Sequence, residues 1–235
     1  MSDIQIEAAE LSARFLDLHE SQNVFRLLLD ALSQPGKIFH LPAELVTRIP
    51  VVEIPLLALL GYDTPFALVG ADTAREQLVA RATSGRITDS SAAGYLGVCD
   101  PRSELLPMGF CLGTPMRPDT AAQVSVQVSG IFTAATESTA TLLISGPGVE
   151  SVNQVMCDGA ASGELEFLLR RDWTAPRGLD MWIVGVDGSF IGIPRTSHVS
   201  RARDLERTAR IMHDLRGGSA NNRHRAQRFD NLGGN

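Results

Sequence analysis

The sequence contains almost no lysine. Lys37 is the single lysine among 21 cationic residues, and the other twenty are arginines. Schiff-base enzymes and pyridoxal phosphate enzymes need a lysine in the active site, and phosphate-binding loops of the Gly-x-x-x-x-Gly-Lys-Ser/Thr type need one as well. Lys37 follows Pro35-Gly36, and no glycine-rich loop of that spacing precedes it. The sequence therefore indicates an ordinary exposed lysine and argues against these kinds of site.

Cysteine and long apolar runs are also scarce. The three cysteines, Cys99, Cys111 and Cys157, are far apart, and neither a Cys-x-x-Cys motif nor a histidine pair at metal-ligand spacing occurs. This pattern argues against a disulfide framework and against a zinc site. No apolar run approaches the roughly 18 residues that cross a bilayer, and the first residues do not resemble a signal peptide. We therefore expect a cytoplasmic protein without a metal site or a membrane partner.

Serine, histidine and aspartate occur, but not in a recognised catalytic pattern. A triad can be drawn on paper from Ser197 or Ser33 with His198 and Asp180, yet no Gly-x-Ser-x-Gly elbow is present. Ser197 and His198 are neighbours, so on an extended segment their side chains would point in opposite directions. We therefore assign no catalytic residue.

The charge is distributed unevenly along the chain. The net charge is −6, but the residues from Ser200 onward contain eight arginines against four acids. A basic tail can bind nucleic acid through counterion release, but this one contains a single aromatic residue, Phe229. The sequence instead predicts a solvated helix at 202–215 and a disordered tail at 216–235, with no nucleic-acid partner.

The stretch from residue 178 to residue 199 predicts a β-hairpin. Its first strand contains Met181–Val184, which is apolar on both faces, as is typical of a strand covered on both sides. Asp187-Gly188 favours a two-residue type I′ loop. Pro194 has no N–H for a strand ladder, so the second strand should end there or lie at an edge.

The loop length fixes which residues of the hairpin face each other. A two-residue loop places Asp180 opposite Arg195, with Cβ atoms within about 5 Å of each other. This predicts an ion pair at the open end of the hairpin, which we interpret as structural in preference to catalytic. Thr196 and His198 follow as the chain leaves the sheet. We expect that any contact with a substrate or partner involves this polar cluster of Asp180, Arg195, Thr196 and His198.

The clearest strand signal is the strict alternation of apolar and polar residues at 122–128. Such alternation is typical of a strand with one face in water, and residues 139–145 could pair with it in a hairpin with a longer loop. The segment that follows, Ser145-Gly146-Pro147-Gly148, can be a tight turn or a backbone anion nest. We favour the turn because Pro147 removes a donor.

Helices and strands alternate along the rest of the chain. Ser21 is predicted as the N-cap of a helix ending at Ser33, Phe66–Val69 as a buried strand, and Asp72 or Thr73 as the cap of a second helix. This order predicts an α/β fold with a mixed β-sheet flanked by helices. We divide the chain into an N-terminal helical extension at 1–20, a single α/β domain at 21–215 and the tail at 216–235; the domain includes a further helix ending near Arg171.

Several of these segments, taken in order, resemble the PhnH family, a component of the bacterial carbon-phosphorus lyase core complex. Gly178-Leu179-Asp180, followed at hairpin distance by Ile193–Val199, is similar to the C-terminal signature of that family. Phe25-Arg26 with Ala31, Ser33 and Pro35-Gly36 resembles its opening helix and turn, and Leu143 with residues 145–148 resembles its middle strand and glycine turn. Weaker points of resemblance, in the same order, are Asp63-Thr64 and Gly113-Thr114. The resemblance covers roughly residues 24–199.

The resemblance implies a fold, a set of partners and a function. It implies the fold of the large domain of pyridoxal phosphate-dependent transferases without that cofactor, which agrees with the scarcity of lysine. It also implies a homodimer that joins subunits G, I and J in the catabolism of organic phosphonates. Members of the family act together with subunits G, I and L to transfer the ribose triphosphate of ATP to an alkyl phosphonate with release of adenine, and another subunit cleaves the carbon-phosphorus bond. We therefore expect a non-catalytic subunit without a cofactor of its own.

Two other functions remain open from the sequence. A stand-alone transferase on the same fold would bind its cofactor through Lys37. A nucleic-acid-binding protein would use the arginines that follow Leu215. Each predicts a measurable property, a lysine-bound chromophore in the first case and salt-dependent DNA affinity in the second.

Overall fold

The computed structural model describes residues 15–99, 109–132, 139–158 and 175–202. The helices in these segments are α1 (Leu18–Ser33), α2 (Ala43–Arg48), α3 (Glu53–Leu59) and α4 (Thr73–Thr83). The strands are β1 (Phe39–His40), β2 (Pro65–Val69), β3 (Arg86–Ile87), β4 (Tyr95–Val98), β5 (Gln123–Val128), β6 (Gly130–Phe132), β7 (Thr139–Ser145), β8 (Asn153–Asp158), β9 (Asp180–Gly185), β10 (Ser189–Ile193) and β11 (His198–Arg201). Within these segments, no helix is both long and apolar enough to cross a membrane.

The strands form two sheets. The larger sheet has seven strands in the order β1-β10-β9-β5-β4-β2-β3, and the smaller has four in the order β11-β7-β8-β6. In the larger sheet β9, β5, β4, β2 and β3 run parallel, whereas β10 and β1 are antiparallel to their neighbours. The smaller sheet is antiparallel throughout. The prediction of an α/β fold with a mixed sheet is therefore confirmed.

The larger sheet is covered on both faces. One face shares a core with the smaller sheet, where Val124, Val126 and Ile183 pack with Leu142 and Ile144. The other face lies under the helices, with Trp182 and residues of α1 and α3 in a second core. The result is three layers: helices, a seven-stranded sheet and a four-stranded sheet.

The strand at 122–128 is present, but its environment differs from the prediction. β5 is the central strand, and both faces are covered, so the prediction of a wet face was wrong. Gln123, Ser125 and Gln127 face the helix layer, and Ser125 is only 1% exposed. The predicted pairing of residues 139–145 with this strand was also wrong. These residues form β7 in the smaller sheet, whereas β5 pairs with β4 and β9. An alternating pattern distinguishes two faces of a strand, but it does not say what covers each one.

The predicted hairpin at the centre of the larger sheet exists with a different loop. β10 pairs with β9 so that Phe190 faces Val184 and Ile193 faces Met181. This register requires a three-residue loop, closed by a hydrogen bond of 2.9 Å from the Gly188 N–H to the Gly185 carbonyl. The predicted loop of two residues was therefore one residue too short.

The conformation of Asp187-Gly188 explains the longer loop. A type I′ loop needs positive φ at both central residues, but only Gly188 has one, with φ of +85°. The Asp187 carboxylate accepts hydrogen bonds from the Ser189 N–H and hydroxyl, at 3.0 and 2.6 Å. Asp187 thus acts as the side-chain acceptor of the turn, and Gly188 alone takes the left-handed conformation.

The other predicted elements can now be placed. The helix predicted from Ser21 begins at Leu18, because Asp17 is its N-cap and forms a reciprocal capping box with Glu20. β2 and the capping of α4 by Asp72 confirm the predictions for that region, and β10 ends before Pro194 as expected. The predicted helices at 162–171 and 202–215, the tail, and most of the N-terminal extension lie outside the described residues.

Candidate functional site

The predicted ion pair at the base of the hairpin is present. Asp180 is the first residue of β9, and its carboxylate lies 2.6 Å from Nη2 of Arg195. The Arg195 backbone N–H also donates to Asp180 Oδ1, at 2.8 Å. In the observed register Asp180 would face Pro194, so the pair forms because the chain turns after β10 and directs the Arg195 N–H toward the carboxylate. The prediction of the ion pair is confirmed, and the cross-strand register on which it was based was wrong.

Arg195 also binds a third segment of the chain. Its Nη1 donates to the carbonyl of Pro118 at 2.6 Å. Both side chains of the ion pair are less than one-fifth exposed, at 18% and 19%. A largely buried guanidinium with carboxylate and carbonyl acceptors is held in one orientation, which suits a structural role.

The other two residues of the predicted cluster, Thr196 and His198, are not part of the ion pair. Thr196 is exposed in the turn that follows, and Ser197 between Thr196 and His198 is buried. His198 is exposed and begins β11, where it pairs with Ser145 of the smaller sheet. The structure thus brings Asp180 and Arg195 into contact, whereas Thr196 and His198 carry the chain from the larger sheet to the smaller one.

Three motif segments that are distant in sequence meet at this crossing. We define the motif junction as residues 33–36, 145–148 and 195–198. A Cβ atom on Gly146 would lie 3.1 Å from the Thr196 carbonyl oxygen, and one on Gly148 would lie 2.5 Å from the Ser33 carbonyl oxygen. Both glycines also have positive φ. The glycine turn is therefore required by close backbone approach on two sides, and the favoured interpretation of residues 145–148 as a turn agrees with a hydrogen bond from the Val149 N–H to the Gly146 carbonyl.

Hydrogen bonds fasten the motif junction to both sheets. Asn153 of β8 donates its side-chain N–H to the Pro35 carbonyl at 2.7 Å. The Gly36 N–H donates to the carbonyl of Gly192 in β10, at 3.3 Å. The junction therefore joins the end of α1, the hairpin and the smaller sheet. Each segment was recognisable in the sequence, but their contact was not, because it joins residues at least 50 positions apart.

A cavity of about 270 Å³ opens beside the hairpin base. It lies at the amino ends of β2, β4 and β5, and Gln123 in its wall pairs with Asp180 of the adjacent strand. Burial raises the pKa of Tyr95 in the wall. A hydrogen bond from Arg117 lowers the pKa of Asp119 at the rim. The wall therefore combines a neutral phenol, an amide and an ionised carboxylate.

A second polar cluster, missed by the sequence analysis, lies at the opposite, carboxyl end of the parallel strands. Glu53 is fully buried at the start of α3 and accepts hydrogen bonds from Nε and Nη2 of Arg75, at 2.8 and 2.7 Å. Burial raises the pKa of the nearby Cys99 thiol, and the charge of Arg75 opposes this shift. The carboxyl ends of parallel strands are where α/β sheets commonly bind ligands. No motif marks Glu53 or Arg75 in the sequence, since they meet only through the packing of two helices.

Lys37 lies on the surface next to the motif junction. Its ammonium donates to Gln34 Oε1 at 2.8 Å and lies 5.3 Å from the centre of the Phe39 ring. Its exposure agrees with the interpretation of Lys37 as an ordinary surface lysine.

Comparison with known proteins identifies the family. Residues 15–200 match the family model described as bacterial phosphonate metabolism protein (PhnH). The chain is 26% identical over 204 residues to the alpha-D-ribose 1-methylphosphonate 5-triphosphate synthase subunit PhnH of Rhizobium meliloti (strain 1021), and the alignment covers 81% of this chain and 96% of that relative. The matched residues include all three segments of the motif junction. The resemblance found in the sequence is thereby confirmed, and the chain belongs to the PhnH family of bacterial phosphonate metabolism proteins.

Proposed function

We propose that the protein is a non-catalytic structural subunit of the carbon-phosphorus lyase core complex. In this role it is required, with subunits G, I and L, for the transfer of ribose triphosphate from ATP to an alkyl phosphonate with release of adenine, in the catabolism of organic phosphonates. The observation that carries the proposal is the family match over residues 15–200. It is supported by the relative from Rhizobium meliloti, whose name makes it a subunit of a synthase.

The arrangement of the motif residues supports a structural role. The glycines of the junction allow backbone segments to approach closely. The Arg195 guanidinium donates hydrogen bonds to the Asp180 carboxylate and to the Pro118 carbonyl. These contacts fix the position of the two sheets relative to α1. A rigid surface of this kind suits a protein that positions other subunits.

We further infer a cytoplasmic homodimer that joins subunits G, I and J. For the fold we propose the large domain of pyridoxal phosphate-dependent transferases without the cofactor. The parallel inner strands of the seven-stranded sheet and the exposed position of Lys37 are compatible with this. Replacing Lys37 with alanine should leave the activity of the reconstituted system unchanged. A lysine-bound chromophore that disappears in this variant would instead favour a stand-alone transferase.

Adenine release tests the proposed function directly. Purified subunits G, I and L are incubated with ATP and methylphosphonate, with and without this protein. We expect adenine release only when all four proteins are present, and none from this protein alone. Equal release in its absence, or release by the isolated chain, would contradict the proposal.

A further inference from the structure

The cavity at the amino ends of β2, β4 and β5 contains two polar side chains with hydrogen-bonding capacity to spare. Tyr95 and Gln123 are direct neighbours on the parallel strands β4 and β5, so their side chains lie on the same face of the sheet. Within the described residues, no hydrogen bond joins the Tyr95 hydroxyl or the Gln123 side-chain amide to another group. Burial raises the pKa of Tyr95, so its phenol keeps the proton and can donate. Polar groups that converge in a cavity wall are typical of a ligand site.

The rest of the wall sets the shape of a matching ligand. Pro65, Ala92, Ala93 and Ala121 line the cavity with side chains that form no hydrogen bonds. A ligand that fits both parts of the wall has apolar faces and one polar edge, as a planar heterocycle has. A sugar is polar on all sides, so several of its hydroxyl groups would be buried without partners, which is costly.

The electrostatics of the wall favour a neutral ligand. None of the described residues that line the cavity is a lysine, arginine or histidine. The backbone N–H groups of Gly94 and Ala121 already donate to carbonyls of the chain, so they do not form an anion nest. At the rim, the Asp119 carboxylate lies 3.0 Å from Nη2 of Arg117, which compensates its charge. Neither a phosphate group nor a free cation finds a partner in such a wall.

The size of the cavity and the Gln123 amide narrow the choice further. A cavity of about 270 Å³ has the volume of about nine liquid water molecules at roughly 30 Å³ each, which is room for one purine ring system and not for a whole nucleoside triphosphate. A glutamine amide donates and accepts together, which matches the amino group and the neighbouring ring nitrogen N7 of adenine. Guanine and hypoxanthine present two acceptors at this edge, which an arginine or lysine binds better.

From these observations we propose that the cavity is a binding site for the purine base adenine. The Gln123 amide pairs with the amino group and N7 of the base, and the Tyr95 hydroxyl donates to the ring nitrogen N1 on the other side of the amino group. The site binds the base and carries out no chemistry on it. The inference deepens the proposed function, in which adenine is released from ATP, and it rests on that function for the source of the base.

Calorimetric titration of the purified full chain with two bases tests the proposal. Hypoxanthine is the matched control ligand, because it differs from adenine in having an oxygen in place of the amino group. We expect adenine to bind with a dissociation constant on the order of 0.1 mM, as suits a small ligand with few hydrogen bonds. Hypoxanthine should bind at least about tenfold more weakly. Equal affinity for both bases, or no binding of adenine at about 5 mM, far above the expected constant, would overturn the proposal.

Two glutamines of the same strand provide matched variants. Gln123→Ala should weaken adenine binding at least about tenfold, because it removes the paired hydrogen bonds. Gln127→Ala is the control, since Gln127 lies on the same face of β5 and is also half-buried but does not line the cavity. Tyr95→Phe, which removes only the hydroxyl, should weaken binding about two- to tenfold. Equal weakening by Gln123→Ala and Gln127→Ala would refute the assigned contact.

The rate of thiol alkylation locates the bound base. Cys111 lines the cavity, whereas Cys99 follows β4 at the opposite end of the strands, and both thiols are partly exposed. Saturating adenine should slow the reaction of Cys111 with iodoacetamide and leave that of Cys99 unchanged, as measured by peptide mass spectrometry. Unchanged labelling of Cys111 would place the base elsewhere and overturn the proposal. The proposed function can fail separately, because adenine release may still require this protein if the isolated chain does not bind the base.

Discussion

At the scale of single residues, the ion pair of Asp180 and Arg195 shows how two side chains can connect several segments of the chain. Its carboxylate binds both the backbone and the guanidinium of Arg195, whose Nη1 in turn holds the carbonyl of Pro118. The ion pair could be predicted from sequence because its partners flank one hairpin. The pair between Glu53 and Arg75 could not, since it depends on how α3 packs against α4.

A double-mutant cycle measures the strength of the Asp180–Arg195 pair. We expect Asp180→Ala and Arg195→Ala each to lower the free energy of unfolding by about 2 kcal/mol, because each leaves a largely buried charge without its partner. The coupling energy from urea unfolding should be about 1 to 2 kcal/mol. The control is the pair of Asp63 and Arg86, whose side chains are 66% and 54% exposed. Coupling there should be below about 0.5 kcal/mol, and equal coupling in both pairs would refute a special role for Asp180.

The Cys157 thiol gives the protein a pH dependence in alkaline solution. Burial raises the pKa of Cys157 to about 12, whereas an unfolded cysteine titrates near 8.5. Above the unfolded pKa the unfolded chain releases this proton and the folded chain keeps it, so stability falls as the pH rises from about 8.5 toward 12.

The comparison of two cysteine variants isolates this effect. Between pH 8 and pH 10 the unfolding free energy of the unmodified protein should fall by about 2 kcal/mol more than that of Cys157→Ala. Cys111→Ala, in which the replaced thiol is partly exposed, should follow the unmodified protein. Parallel pH profiles for Cys157→Ala and the unmodified protein would show that the thiol is not buried.

At the scale of secondary structure, small residues determine how closely the layers approach. Gly192 in β10 faces α1, and a Cβ atom there would lie 2.4 Å from the carbonyl carbon of Ala31. In β5, Ser125 lies beside Gly97 and Trp182. Ser125 is 1% exposed and has the smallest side chain in β5, so it leaves room for the Trp182 ring beside it.

Substitution of Gly192 tests the contact between α1 and the hairpin. Gly192→Ala should lower the free energy of unfolding by at least about 2 kcal/mol, because the new methyl group meets backbone atoms that cannot move aside locally. Gly61→Ala is the matched control, since the nearest atom to its Cβ would be Thr64 Oγ1, at 3.8 Å. Urea unfolding should show little change for this control. A similarly mild effect at Gly192 would mean that α1 does not press against β10.

Secondary structure was predicted well where the signal was local. The bounds of β7 and the cap of α4 agreed with the prediction, because strand composition and capping residues act over a few positions. The loop at Asp187-Gly188 was misjudged because the same dipeptide suits two turn types. The predicted start of α1 was wrong because Asp17, in a capping box with Glu20, caps the helix in place of Ser21.

At the scale of the whole molecule, the sequence predicted the fold class and not the three layers. Pairing of His198 with Ser145 forms the edge of the smaller sheet, and it joins positions more than 50 residues apart. Such pairings are decided by competition among all strands of the chain. The family motifs identified the family, which local patterns could not do. The structure shows that three of the motif segments, distant in sequence, meet at the motif junction.

The native mass of a purified mixture of this protein with subunits G, I and J tests the central claim most directly. If the protein is a structural subunit, native mass spectrometry should show one assembly that contains the 25.3 kDa chain together with the other subunits. Detection of this chain alone or only as its own dimer, while G, I and J assemble without it, would contradict the account.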